Sequence, residues 1–157
     1  MPFNWNDFID IAQDIENKDY MSTTENGRYI EAYQRIMVVN LYYAVFNLSL
    51  EAVKKISYLL SDPEYEFFHN ESSVHGDVRR YIGKLSRLYR KNKEARIALN
   101  KLPEDLASLH ELRKSCHYQD TVNNLYTVCE DAMDLAVSIQ RRLSKVTIMI
   151  NEEEISS

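Results

Sequence analysis

The chain is predicted to be all-α: an antiparallel bundle of four main helices with a short N-terminal helix. Three observations predict it. Only three glycines and three prolines occur in 157 residues, too few breakers for a turn-rich β fold. Apolar residues recur every three to four positions over long stretches, the period of an amphipathic helix. The hydrophobic fraction of 45% is enough for one packed core, and the length suits one domain. Residues 1–150 are expected to form that domain, and the acidic segment 151–157 a mobile tail.

Asn4 or Asn6 can cap a short first helix carrying Phe8, Ile9, Ile11, Ala12 and Ile15. Residues 17–27 read as a loop. A long helix follows over roughly 28–60, with Ile30, Tyr33, Met37, Leu41, Ala44 and Leu48 on its apolar stripe. Its centre, Ile36 to Phe46, is apolar nearly all round, so it needs cover from the bundle and from a second subunit. Asp62-Pro63 ends it, and residues 61–72 are expected to be a loop. Ser72 or Ser73 can cap a helix running to about Lys91, with Val74, Val78, Ile82, Leu85 and Leu88 inward. Pro103 is expected to precede the third main helix, about Glu104 to His117. Asp120 or Thr121 caps a fourth, to about Lys145, with Leu125, Val128, Ala132, Leu135 and Ile139 inward.

Several classes of function are excluded. The three glycines form no phosphate-cradling loop. The four histidines and two cysteines lack metal-site spacing, so neither metal nor cofactor is expected. Cys116 and Cys129 read as reduced, buried thiols. The first residues are polar and acidic, unlike a secretory leader, and the Ile36–Phe46 run is too short to span a membrane. A soluble, cytoplasmic protein is expected.

The net charge of −5 hides an asymmetry. Residues 79–101 hold nine basic side chains and one acid, Glu94, while the rest of the chain holds ten basic and 23 acidic. Overall acidity argues against indiscriminate nucleic-acid binding. Arg80, Lys84, Arg87 and Lys91 nevertheless share one stripe of a helix. That stripe is either an RNA or nucleotide surface or a solvated face paired with acids.

The chemistry-bearing motif is Arg113-Lys114-Ser115-Cys116-His117-Tyr118. An Arg and a His four residues apart lie on one helix face, about 40° apart. Leu102, Leu106, Leu109, Leu112 and Cys116 define the buried face, and Arg113 falls at its edge. An arginine there needs a counter-charge or an anion. A fixed cation beside a group that titrates near neutrality can bind phosphate and move a proton. The competing reading is a structural Arg113, with His117 at a helix C-terminus. Asn40, amid apolar residues, either braces the core or projects into the same groove. His110 reads as an edge histidine and His75 as packing or capping.

Four blocks in order give a resemblance. Phe3-Asn4-Trp5-Asn6-Asp7-Phe8-Ile9-Asp10-Ile11-Ala12, Arg35 to Asn47 with its Tyr42-Tyr43-Ala44-Val45-Phe46 core, Ser73-Val74-His75-Gly76-Asp77-Val78, and Arg113 to Tyr118 together resemble the HEPN domain family, especially its small stand-alone prokaryotic members. The likeness spans nearly the whole chain. It implies an all-α homodimer with two late motifs facing each other across a cleft, and for nuclease members metal-independent RNA cleavage of toxin or defence type. It also implies Arg113 as the phosphate-binding cation, His117 as the acid/base and Asn40 as the supporting polar residue. Tyr118 and the basic stripe join them as candidate RNA- or nucleotide-binding residues. Three residues separate Arg113 from His117, where the family's nucleases usually have four or more. The alternative is a non-catalytic module that binds a nucleotide or a partner such as a nucleotidyltransferase-type antitoxin.

Overall fold

The computed structural model describes residues 4–17, 30–70, 74–89 and 91–156. Within them the chain forms six helices and no strand: α1 (Asn6–Asn17), α2 (Ile30–Leu59), α3 (Tyr65–Asn70), α4 (His75–Leu88), α5 (Lys93–Tyr118) and α6 (Leu125–Ser156). The all-α class is as expected. The 17–27 loop beyond Asn17, the proposed caps Ser72 and Ser73, and the side chain of Ile15 lie outside the described residues.

Asn4 starts α1: its Oδ1 accepts the Asn6 backbone N–H at 3.2 Å, and its Nδ2 donates to Asp7 Oδ1 at 2.9 Å. Ile9 and Ala12 enter the core, while Ile11 is exposed. The helix packs on α2 and α6.

In α2 the buried positions include Met37, Val38, Leu41, Tyr42, Ala44, Val45, Val53 and Ile56. They spread over most of the helix circumference because α1, α3, α4, α5 and α6 all pack on it. Tyr33 and Ile36 are exceptions, 53% and 55% exposed. Ser49 is fully buried, and its hydroxyl donates to the Val45 carbonyl at 2.7 Å. By length and composition α2 could cross a membrane, with mean hydropathy 1.5 over its most apolar window; 44% of that window is buried inside the structure. The helix is thus longer than the Ile36–Phe46 run, which alone is too short to span.

α2 ends in a backbone motif. Asp62 N–H donates to the Ser57 carbonyl at 2.9 Å and Ser61 N–H to the Tyr58 carbonyl at 3.1 Å. Ser61 takes φ 50°, in the left-handed region. A side chain there is strained and glycine is not. Ser61→Gly is therefore expected to stabilise the protein by about 0.5–1 kcal/mol, read as a higher denaturant midpoint at unchanged slope.

Three boundaries differ from expectation. The 61–72 loop contains α3, six residues long, too short for a periodic signal. Asp62 starts it by accepting the Glu64 N–H at 2.9 Å, and Phe68 anchors it, fully buried and edge-on to Tyr81 at 5.1 Å. The third main helix begins at Lys93, not Glu104, with Asn92 Oδ1 capping Ala95 N–H at 3.0 Å. Pro103 sits inside it; Ala95, Ala98, Leu99, Leu102 and Leu106 keep one buried stripe across the proline. Packing of that stripe outweighs the hydrogen bond the proline cannot make. The last helix continues past Lys145 to Ser156, through the segment expected to be a separate tail.

Named contacts fix the helix directions. Arg35 near the start of α2 meets Cys116 and Gln119 at the end of α5, and Tyr43 meets Arg113, so α2 and α5 run opposite ways. Arg142 pairs with Asp105 and Lys145 with Glu94, so α6 also opposes α5. Tyr42 meets His75 and Asp62 meets Lys84, so α2 and α4 point the same way. α5 is the common antiparallel neighbour of α2, α4 and α6. Its last turns carry the candidate motif.

Candidate functional site

Cys116 lies on the buried stripe of α5 that runs through Leu102, Leu106 and Leu109. Three residues before it, Arg113 falls on the same face and is only 8% exposed. Its guanidinium carbon lies 5.2 Å from the Tyr43 ring centroid and 5.3 Å from that of Tyr118. Its Nη2 donates to Tyr43 Oη, and Nη1 to Tyr118 Oη at a long 3.5 Å. Nε has no hydrogen-bond partner among the described residues. Among the described residues no carboxylate pairs with Arg113. Five N–H donors thus meet two neutral acceptors, leaving a cation with unmet hydrogen-bonding capacity.

The end of α5 is fixed by a residue on α2. Arg35 Nη1 donates to the carbonyls of Cys116 (3.1 Å) and Gln119 (2.6 Å), and Nη2 to that of Asp120 (2.9 Å). Glu31 holds the same guanidinium at 2.8 Å. These are carbonyls that a helix C-terminus leaves without intrahelical donors. Arg35 therefore sets the position of the turn that carries Arg113 and Tyr118.

Beside Arg113 lies an aromatic and histidine cluster built from three helices. Tyr42 Oη shares a 2.6 Å hydrogen bond with His75 Nδ1. The Tyr42 ring stacks on His110 with centroids 4.8 Å apart and planes within 12°. His75 and His110 are 4.9 Å apart, and Phe46 closes on His75 at 4.3 Å. Burial holds the His75 imidazole below the ordinary histidine pKa, helped by the fields of Arg113 and Arg79. His110 is lowered by burial, then by His75, Arg79, Lys114 and Arg113. Burial raises the Tyr42 phenol, so it stays a protonated hydrogen-bonding group.

The predicted site residues divide. Arg113 and Tyr118 come together. His117 is exposed, with its ring against Tyr118 at 4.6 Å and no hydrogen bond to Arg113. Asn40 is half-buried and bonds to neither. One turn of α-helix carries His117 about 40° out of the groove, which is enough to expose it.

The basic stripe is half neutralised. Arg80 pairs with Glu64 at 3.1 Å, and Lys84 with Asp62 at 2.9 Å and Glu64 at 3.3 Å. Arg80, Lys84 and Arg87 line one cleft with Asn100 and Pro103. Arg87 and Lys91 are exposed. The pairing acids come from the chain just before α3, some twenty residues upstream, and helical periodicity gives no sign of them. Asp62 illustrates the consequence. Burial pushes its carboxyl up, but the Glu64 backbone N–H and the Lys84 ammonium outweigh burial, and its pKa ends below the usual carboxylate value. Its stabilising contribution is full above the unfolded carboxylate pKa, about 4, and is lost as pH falls through the lower folded value. Asp62→Asn should cost about 1–3 kcal/mol at neutral pH, and the two proteins should converge in acid. Urea melts across pH check it; a gap independent of pH would contradict the ion-pair account.

No family model matches the chain, and no curated protein or solved structure is found to match it. Among the described residues no group of three or more His, Cys, Asp or Glu could hold a metal ion. The site therefore rests on its own geometry.

Sequence reasoning missed Arg35, Arg79, His75 and His110 as site elements. A signal was present. His75 and Arg79 are one turn apart on α4, and His110 and Arg113 one turn apart on α5. Two such pairs on antiparallel neighbours converge, but only once the helices are known to pack.

Proposed function

We propose that this protein is a HEPN-like, RNA-directed module whose phosphate contact is Arg113. One observation carries the reading: a nine-tenths buried guanidinium, held by two tyrosine hydroxyls with both rings near it, and with no carboxylate partner among the described residues. Burying a cation without a counter-charge costs stability, and an anionic ligand offsets that cost. The exposed Tyr118, 67% accessible, offers a face on which a base can stack. The arrangement of four long helices and a short α1 is the HEPN-like bundle in this reading. Exposed Tyr33 and Ile36 on α2, beside the end of α5, favour a homodimer that brings two Arg113 motifs together. Cytoplasmic location, a toxin or defence role and a nucleotidyltransferase-type partner belong to the same proposal.

Two readings of the chemistry remain distinct. In the ribonuclease, His117 takes the proton of a ribose 2′-OH while Arg113 stabilises the charged phosphorane, with Asn40 in support and no metal required. In the non-catalytic module, Arg113 binds phosphate and nothing is cut. The exposure of His117, away from Arg113, favours the module.

Mixed RNA incubated with the pure protein in chelator tests this. Wild type is expected to retain RNA and leave it intact, and Arg113→Ala to lose retention. Cleavage that vanishes in His117→Ala would establish the ribonuclease instead. Absence of RNA binding by the wild type would overturn both.

A further inference from the structure

The part of the molecule that the proposed function does not use is the histidine pair. His75 sits at the first position of α4, with Arg79 one turn on. His110 lies two turns before the end of α5, with Arg113 one turn on. α4 and α5 are antiparallel neighbours, so the two pairs meet, and the imidazoles lie 4.9 Å apart. Both rings are half-buried and so keep some access to solvent.

We propose that His75 and Arg79 on α4, with His110 and Arg113 on α5, form a phosphomonoester site that takes up its dianion together with a proton. This deepens the reading that Arg113 meets phosphate and rests on it.

The charges around the pair select the ligand. From α2 the cluster is faced by Tyr42, Tyr43 and Phe46, none of them charged. From α4 it is faced by Arg79. From α5 it is faced by Arg113, Lys114 and Glu111. Glu111 is the acid in reach of His110, and its carboxylate is already bonded to Lys114 Nζ at 2.6 Å. Those two cancel. Arg79, like Arg113, pairs with no carboxylate among the described residues. Among the described residues neither guanidinium has a carboxylate within ion-pair distance, although Glu111 lies in the field of Arg79, and two such charges match a dianion. A phosphodiester, with one charge, would leave one guanidinium unmatched.

The end of α4 adds to the field. Val74 precedes the helix without a side-chain cap on its backbone N–H groups. A Cβ at Gly76 would find no atom within 4 Å, so the first turn faces open space. A helix N-terminus next to two arginines favours an anion. Arg113 Nε, buried without a partner, marks the same cluster as incomplete.

The proton follows from the same geometry. With the site empty, burial and the two arginines disfavour charge on His75 and His110. A dianion at the solvent-facing edge of the pair, beside the arginines, reverses the sign of the local field. An imidazole then gains by protonation, and the imidazolium gains a charge-assisted bond to the phosphate. Arg113 and Arg79 bind at any pH, whereas His110 takes the proton and binds in its charged form; His75 keeps its hydrogen bond to Tyr42.

Two sources present this chemistry, a free nucleotide and the phosphorylated end of an RNA. Titration calorimetry of the full chain with adenosine monophosphate, in two buffers of different ionisation enthalpy, reads the proton directly. The expected result is net proton uptake near neutrality and an affinity that falls by up to about tenfold per pH unit across the histidine range. His110→Gln should abolish the uptake and flatten the pH profile. Arg79→Ala should weaken binding about tenfold or more, with the uptake retained. A short RNA bearing a 5′-phosphate, compared with the same RNA ending in a 5′-hydroxyl, tells the two sources apart. Equal affinity for the two RNAs assigns the site to free nucleotides, and tighter binding of the phosphorylated one assigns it to RNA ends. Monophosphate that binds without proton uptake, or binds equally well to His110→Gln and Arg79→Ala at all pH values, would overturn the site, as would no binding of monophosphate. RNA retention that still depends on Arg113 would then leave the proposed function standing, whereas retention indifferent to Arg113 would remove that too.

Discussion

Arg113→Ala is expected to cost the protein about 100-fold or more in affinity for RNA phosphate while leaving the fold in place. The size follows from bonding. A charge-assisted hydrogen bond contributes about 1.5–3 kcal/mol, and each 1.4 kcal/mol is about tenfold in affinity. The near-neutral effect on stability follows from burial. Wild type carries the desolvation cost of a cation that is 8% exposed with no carboxylate among the described residues. The alanine removes that cost, and loses two cation–π contacts and the packing of the side-chain stem. These nearly offset, so the unfolding free energy should change by about 1 kcal/mol or less, a shift of a few degrees in Tm. Arg113→Lys should not rescue binding, because an ammonium cannot donate in a planar fork to Tyr43, Tyr118 and a phosphate together. Thermal melts with and without RNA check the pair of effects. A fall of many degrees with no ligand dependence would mean that Arg113 is a brace.

The opposite pattern is expected of Arg35→Ala. Its side chain is 18% exposed and donates to three carbonyls at the end of α5. Removing it strands those carbonyls, and a buried acceptor left unsatisfied costs about 1–3 kcal/mol. The three bonds act on one turn and are not additive. A loss of about 2–4 kcal/mol is expected in chemical denaturation. Binding should weaken as well, because the turn that holds Arg113 against Tyr43 loses its clamp. Hydrogen exchange should rise at residues 116–120 before it rises in the centre of α5. Exchange that rises evenly over the whole chain would instead indicate a global role.

The two arginines show what was legible in the sequence. Arg113 was readable because its place depends only on helical phase, and phase is set by Leu102, Leu106 and Leu109 around it. Arg35 was not, because its partners lie 81 to 85 residues away and are backbone carbonyls, which no side-chain pattern encodes. The same division runs through the fold. The all-α class and the centres of the buried stripes of α2, α4 and α5 follow from composition and period, whereas Tyr33 on α2 and the α4 flanks Val74 and Leu88, all expected inward, are exposed. The start of α5 was misplaced because Pro103 is a strong local signal, and tertiary packing of Ala95, Ala98 and Leu99 overrode it. α3 was missed because six residues contain too little periodicity, and its anchor, Phe68 on Tyr81, is a contact between helices. At the site, His117 was legible as a neighbour of Arg113 by spacing, yet it is exposed against Tyr118. Of the two groups that contact Arg113, Tyr118 lies on the same helix and was legible, whereas Tyr43 comes from α2, which only the packing of helices reveals.

The central claim is that Arg113 is buried for an anion and not for the fold. Fluorescence anisotropy of a labelled RNA in chelator, titrated with wild type and Arg113→Ala at matched ionic strength, tests it most directly. Wild type is expected to bind with an affinity that falls as salt rises, and the variant to lose about 100-fold while its Tm moves by a few degrees at most. Equal affinities for the two proteins, or no binding by wild type at low salt, would contradict it.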